Sequence, residues 1–138
     1  MSSVYVPIGM GSGICGMVAA RDVLSLRTEI VGVVSAHARA YAASFAAGSV
    51  CSLPVSTRLA DGLACRTPQP EALAVIRHGV DRIVEVTDRE VAAAMRLLFA
   101  CTHNCAEGAG AATLAAALQE RERLSGRRIA LVLSGGNV

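Results

Sequence analysis

The chain has 138 residues, 53% of them apolar, and thirteen basic against eleven acidic side chains give a net charge of +2. That is the length of one domain, and its scattered charge offers no basic stripe with interleaved aromatics for nucleic acid. No uncharged run reaches the roughly 18 apolar residues of a membrane span, Met1-Ser2-Ser3-Val4 lacks the basic region of a signal peptide, and every basic residue is arginine, so the polypeptide offers no lysine amine.

In chain order the pattern alternates strand and helix. Val4–Ile8 reads as a strand and Ser12–Leu24 as mostly helix. Glu29–Val34 is a nearly continuous apolar run, as expected of a strand covered on both faces. Ala38–Ala47 reads as a helix closed by Gly48. Val50–Val55 is expected as a short edge strand, because Pro54 cannot donate to a ladder. Thr57–Arg66 suggests a turn and a short helix. Thr67-Pro68-Gln69-Pro70 opens a helix to His78, with Gly79 as its stop. Arg82–Val86 is a strand, and Thr87-Asp88-Arg89-Glu90 is a capping box before a helix with Val91, Met95 and Leu98 on its buried stripe. Glu107–Leu124 reads as a helix closed by Gly126, and Ile129–Leu133 as the last strand. The order predicts an α/β domain with a mainly parallel sheet flanked by helices. The chain stops at Val138 just after a glycine turn, which is abrupt for a complete domain.

Five cysteines, Cys15, Cys51, Cys65, Cys101 and Cys105, form no disulfide framework and read mostly as small buried residues in a reducing, cytoplasmic setting. In Cys101-Thr102-His103-Asn104-Cys105, the two cysteines would share a helix face at i and i+4 while His103 points elsewhere. Three ligands would not converge, so no metal site is expected.

Two glycine turns follow strand-like runs. Gly9-Met10-Gly11-Ser12-Gly13-Ile14-Cys15-Gly16 leads into a helix, where converging amides and the helix dipole favour a phosphate. Gly11-x-Gly13-x-x-Gly16 also matches the dinucleotide pattern, but that reading wants an acid after the second strand, and Val33-Val34-Ser35 supplies none. A plain packing turn is the other alternative. At the far end, Ser134 in Ser134-Gly135-Gly136-Asn137 sits where a parallel strand ends, the side on which such sheets bind ligands. Between them, Ala106-Glu107-Gly108-Ala109-Gly110-Ala111-Ala112 starts a helix with residues small enough for close approach of a flat ligand or another helix. Together these segments outline a slot for a small phosphorylated aromatic.

Val6-Pro7-Ile8-Gly9-Met10-Gly11-Ser12-Gly13, Leu59-Ala60-Asp61-Gly62, Glu107-Gly108-Ala109-Gly110-Ala111 and Leu133-Ser134-Gly135-Gly136-Asn137 resemble, in this order, the fold-type II pyridoxal-phosphate enzymes, in the branch of threonine/serine dehydratases (ammonia-lyases) and serine racemase. The resemblance covers the whole chain and corresponds to the C-terminal part of that family's large domain. It implies that Gly9, Met10, Gly11, Ser12 and Gly13 hold the phosphate of pyridoxal phosphate. It further implies that Ser134 hydrogen-bonds the pyridine nitrogen and that Glu107 lies near the ring. Where the racemase branch has metal-binding acids, this chain has Val34, Ala38 and Ala40, and Met10 and Ser12 interrupt the glycine run common in dehydratases.

Members of the family also carry a lysine-bearing N-terminal part and a small domain, neither of which maps onto this chain. The expectation is a partial domain spanning 1–138, a cofactor-binding half-module inactive alone. It would associate with itself or with a complementary lysine-bearing half to cover its apolar faces. An assembly module that kept only the fold, and more remotely a dinucleotide-binding domain, are the alternatives.

Overall fold

The computed structural model describes residues 1–137. Strand β1 (Ser3–Pro7) leads through helix α1 (Ser12–Val23) to β2 (Glu29–Ser35). Helix α2 (Ala40–Ala47), a 3-10 turn at Asp61–Leu63 and α3 (Pro70–Gly79) precede β3 (Arg82–Val86). Helices α4 (Asp88–Thr102) and α5 (Gly108–Gln119) precede β4 (Ile129–Leu131). All strand pairs are parallel, in the order β3-β2-β1-β4, with Tyr5 opposite both Val31 and Leu131. The α/β class expected from the sequence is the one observed. The chain steps from β1 outward to β3, then β4 returns to the opposite side of β1. The reversal opens a crevice at the carboxyl ends of β1 and β4, the place where open parallel sheets receive ligands.

Because strand side chains alternate between faces, the sheet builds two cores. Tyr5, Val31, Val33, Val84 and Val86 pack with α4 and α5. Val4, Val6, Ile30 and Val34 pack on the other face with Ile14 and Val18 of α1, Tyr41 of α2 and Leu73 and Ile76 of α3. Helix α5 is the most deeply placed helix: from Gly108 to Ala117 only Leu114 is not buried, and no buried residue is larger than threonine. Of the cysteines, only Cys65 is buried; Cys15 and Cys51 are half-buried, and Cys101 and Cys105 are exposed because the chain leaves α4 beside them. Among the described residues no helix is long and apolar enough to cross a membrane.

The expected caps form. The Thr87 hydroxyl accepts from the Glu90 amide at 3.3 Å while the Glu90 carboxylate accepts from the Thr87 amide at 2.8 Å. Gly48 closes α2 in the left-handed region at φ 77°. Several boundaries differ from the sequence reading. Val50–Val55 joins no strand: the Cys51 amide donates to Ser44 Oγ of α2 at 2.8 Å and the Leu53 amide to the Arg66 carbonyl at 3.0 Å, so these donors are spent on a helix side chain and a loop. Helix α2 starts at Ala40, since the Ala36 amide instead extends the β2–β3 ladder to the Val86 carbonyl at 2.7 Å and the Ala38 amide closes a turn on the Ser35 carbonyl at 2.9 Å. Helix α3 runs through Gly79, where a Cβ would strike Val18 of α1. Helix α5 ends at Gln119 rather than Leu124, where its stripe of small buried residues runs out and the chain continues as turns. Strand β4 stops at Leu131.

At the amino ends of the strands, Arg82 makes a two-pronged contact with Glu120, at 2.9 and 2.7 Å, and also donates to Tyr5 Oη at 3.1 Å. The Tyr5 hydroxyl donates to the same carboxylate. Burial, reinforced by Glu120, pushes Tyr5 up to about 12. The Arg82 hydrogen bond holds Glu120 below the ordinary carboxylate range. A carboxylate with a lowered folded-state pKa contributes stability above its unfolded pKa, and that contribution is lost as the pH falls through the folded value. Glu120→Gln is therefore expected to melt at a lower temperature than the parent at pH 7 and to show a shallower loss of stability below about pH 4.5. Thermal melts across the acid range check this; Glu29, Asp88 and Glu90, also lowered, keep part of the acid dependence in the variant.

Candidate functional site

The last strand-like bond of β1 is the Ile8 amide to the Val33 carbonyl, at 2.8 Å. Beyond it the chain turns through Gly9, Met10 and Gly11 into α1. Gly11 is the residue before the helix, with φ 101° and ψ −12°, a left-handed conformation that a side chain rarely tolerates. No side chain caps α1, and no acid occupies its first turn. Among the described residues, the amides from Gly9 to Ile14 donate to no protein acceptor. A bare helix start with a glycine turn before it is an electropositive seat for an anion.

This turn forms one wall of a cavity of about 220 Å³ at the carboxyl ends of β1 and β4. Glu107 and Ser134 form the opposite wall, so Gly9, Met10, Gly11, Ser12, Gly13, Glu107 and Ser134 all line one space. Met10 takes part through its backbone, since its side chain is exposed. Ser134 is exposed, and its hydroxyl has no partner among the described residues. Glu107 is the residue before α5; its amide donates to the Gly135 carbonyl at 3.1 Å, and its carboxylate lies against Gly135 and toward Gly62. Pro7, Gly62, Leu63 and Ala109 complete the lining. Sequence reasoning gave these four no role. Pro7, Gly62 and Ala109 stand inside the motifs quoted above, which is the available signal; Leu63 carries no mark of its own.

Backbone closeness joins the walls. A Cβ on Gly9 would collide with the Gly62 carbonyl, and one on Gly108 with the Leu59 carbonyl. A Cβ on Gly110 would come within 2.6 Å of the Gly135 carbonyl oxygen. Four segments far apart in sequence thus meet where side chains are absent. A smaller space of about 130 Å³ adjoins, reaching Asp61, Met95 and Asn137.

Other readings find less support. Gly16 is exposed, and a Cβ there would meet nothing within 4 Å, so it does not serve the close helix packing of a dinucleotide fingerprint. At the end of β2 the Ser35 hydroxyl accepts from the His37 amide at 3.1 Å, and no acid stands there. Cys101 and Cys105 do not share a helix face, because α4 ends at Thr102 and His103 turns left-handed at φ 57°. Among the described residues no group of three His, Cys, Asp or Glu is placed to hold a metal. A larger cavity of about 440 Å³ lies between α4 and α5, but its Glu90 is already engaged by Thr87 and Gln119.

The class is an open parallel α/β domain with its candidate crevice at the strand-order reversal, floored by a glycine turn. Within that class the chain belongs to a defined family: residues 1–135 match the family model described as pyridoxal-phosphate dependent enzyme. It is 38% identical over 139 residues to an L-threonine ammonia-lyase of Geobacter sulfurreducens, covering all of this chain and 34% of that protein. It is 31% identical to the L-threonine dehydratase catabolic TdcB of Staphylococcus aureus, covering 41% of it. Among solved structures, the T.th. threonine deaminase superposes with a TM-score of 0.91 at 34% identity, over 99% of this chain and 50% of that one. Maize serine racemase gives 0.89 at 31% identity, over 99% and 43%. The chain spans roughly a third to two fifths of the length of these curated relatives.

The backbone contact at Gly108 yields a stability prediction. Gly108→Ala removes the glycine entropy cost in a helix but forces the Leu59 carbonyl away from α5. Destabilisation of about 2 kcal/mol or more is expected, within the range of overpacking. Denaturant titration checks it, with the exposed Gly16→Ala as a control expected to be neutral or stabilising.

Proposed function

We propose that this chain is the phosphate- and ring-holding part of a pyridoxal-phosphate-dependent threonine/serine ammonia-lyase, and that alone it does not catalyse. The observation that carries this reading is the meeting of the bare glycine turn, Glu107 and Ser134 around one cavity at the reversal of strand order. The fit rests on polar groups that lack protein partners among the described residues: the amides of the turn and the Ser134 hydroxyl. The Gly9–Gly13 backbone would hold the phosphate, Ser134 the pyridine nitrogen, and Glu107 the polar edge of the ring. When bound, the cofactor supplies an electron sink for elimination from a hydroxy amino acid. Ser134 is a neutral hydroxyl and does not force a proton onto the ring nitrogen, which suits loss of water more than reactions needing a stronger sink.

The chain has thirteen arginines and no lysine. Arginine stays protonated and cannot act as the amine that anchors the cofactor and moves a proton. Covalent attachment and proton transfer would fall to a lysine-bearing partner half, in the cytoplasm. The same absence favours a second reading, an assembly module that retains the fold without the chemistry.

Titration separates the two. Inorganic phosphate and pyridoxal phosphate are expected to bind saturably to the parent chain. Gly13→Val is expected to bind both at least about tenfold more weakly without a lower melting temperature, because a Cβ at Gly13 meets nothing within 4 Å. No binding by the parent would favour the assembly module. With threonine or serine and added cofactor, no 2-oxo acid should form above the protein-free control; turnover abolished by Ser134→Ala would overturn the non-catalytic reading.

We further propose that the chain associates with itself when no partner half is present. On the α1 face of the sheet, an apolar groove of about 330 Å³ is lined by Val4, Met17, Leu24, Leu26, Ile30 and Val132. Val23, Leu24 and Leu26 are exposed nearby, and Leu97 and Phe99 of α4 are exposed on the opposite side of the sheet. A symmetric dimer burying about 2,000 Å² or more is expected. Light scattering at micromolar concentration checks it, and a compact monomer would refute it.

A further inference from the structure

Every residue assigned to the phosphate wall acts through its backbone, so something must fix which way each peptide faces. Gly11 makes this acute. Glycine populates φ of either sign at little cost, and the Met10–Gly11 peptide can rotate between turn types as a unit. One orientation offers the Gly11 amide to the cavity; the other offers the Met10 carbonyl oxygen, which would repel an anion.

The restraint comes from α2. Tyr41, 1% exposed, sends its hydroxyl to the Met10 carbonyl oxygen at 2.7 Å and accepts the Gln69 amide at 3.4 Å. Burial pushes the hydroxyl above its ordinary pKa, so it remains a donor near neutral pH. The ring also abuts the turn: a Cβ on Gly11 would lie 2.8 Å from the Tyr41 oxygen and 2.9 Å from Ala72 Cβ. Phenylalanine would fill the same core volume, so what tyrosine adds here is its hydroxyl, with the short bond to Met10 and the longer one from Gln69.

We propose that Tyr41 is a positioning residue for the anion seat. By drawing the Met10 carbonyl into the core, it holds the Met10–Gly11 peptide with the Gly11 amide facing the cavity. In a planar trans peptide the C=O and N–H point in opposite directions, and no peptide among the described residues is cis. Anchoring one therefore aims the other. The inference rests on the phosphate reading above and adds to it the device that sets the donor direction.

The test uses the full chain and inorganic phosphate as the probe. In the parent, saturating phosphate should move the Gly11 amide resonance downfield and leave the Met10 carbonyl carbon nearly unmoved. Tyr41→Phe should bind phosphate about tenfold more weakly, the loss of one charge-assisted hydrogen bond. Its Gly11 amide should no longer respond, while Gly13 still does. Pyridoxal, lacking the phosphate, should bind parent and Tyr41→Phe equally.

A Tyr41→Phe chain that binds phosphate within about twofold of the parent, with Gly11 still responding, overturns the proposal even if that variant is less stable. Where Tyr41→Phe folds too poorly to titrate, the parent decides: a Gly11 amide unmoved by saturating phosphate overturns the proposal while Gly13 movement preserves the phosphate reading. A parent that binds no phosphate overturns both.

Discussion

The structure depends on how close α5 can come to the sheet. Its buried residues are glycine, alanine and one threonine, so its axis lies nearer the strands than a leucine-bearing helix would allow. That closeness brings the start of the helix, with Glu107, level with the carboxyl ends of β1 and β4. It also lets the loops at Leu59 and Gly135 press backbone against backbone. Larger side chains along α5 would lift it, and the two walls of the candidate cavity would part. Little apolar area is gained per alanine, so most of the burial on this face is supplied by Tyr5 and the valines of the strands.

The sheet separates two tasks by strand polarity. At the amino ends, Arg82, Glu120, Tyr5, Glu29 and Arg127 form a satisfied polar cluster in which the described bonds account for each partner. At the carboxyl ends, the amides of the glycine turn and the Ser134 hydroxyl have no protein partners among the described residues. Such asymmetry is characteristic of open parallel sheets, where one end carries stability and the other carries ligand contacts. Hydrogen-bonding capacity withheld from the fold at one end remains for a ligand.

Strand and helix identities were legible because period and punctuation agreed: the apolar runs of β1, β2 and β3, the capping box at Thr87 and the glycine ends are local signals. The residues gathered around the cavity were legible as glycine turns and a strand-end serine, features whose chemistry is carried by the backbone or by position. What was not legible is tertiary. Val50–Val55 has strand-like composition, but its amides find Ser44 and Arg66, which no local pattern announces. The true end of α5 falls where its small buried residues give way to the exposed Leu118 and Gln119. Leu63 and Ala109 line the cavity only because Gly62 and Gly108 admit close approach. Tyr41 stands in no sequence motif, and its bond to Met10 exists only in the folded structure.

The pairing of Ser3 with Ile129 joins residues at opposite ends of the described chain. During synthesis on the ribosome, β1 emerges well before β4 and must wait for it before this pairing can form. The units β1–α1–β2 and β3–α4–α5 can gather from nearby contacts, but loop-closure entropy delays the final strand. Ser134 follows that strand directly, so the cavity wall it supplies arrives after the glycine turn that forms the other wall. Until then the edge of β1 is open, and that interval is when a nascent chain is most exposed to unwanted strand pairing or to capture by a chaperone.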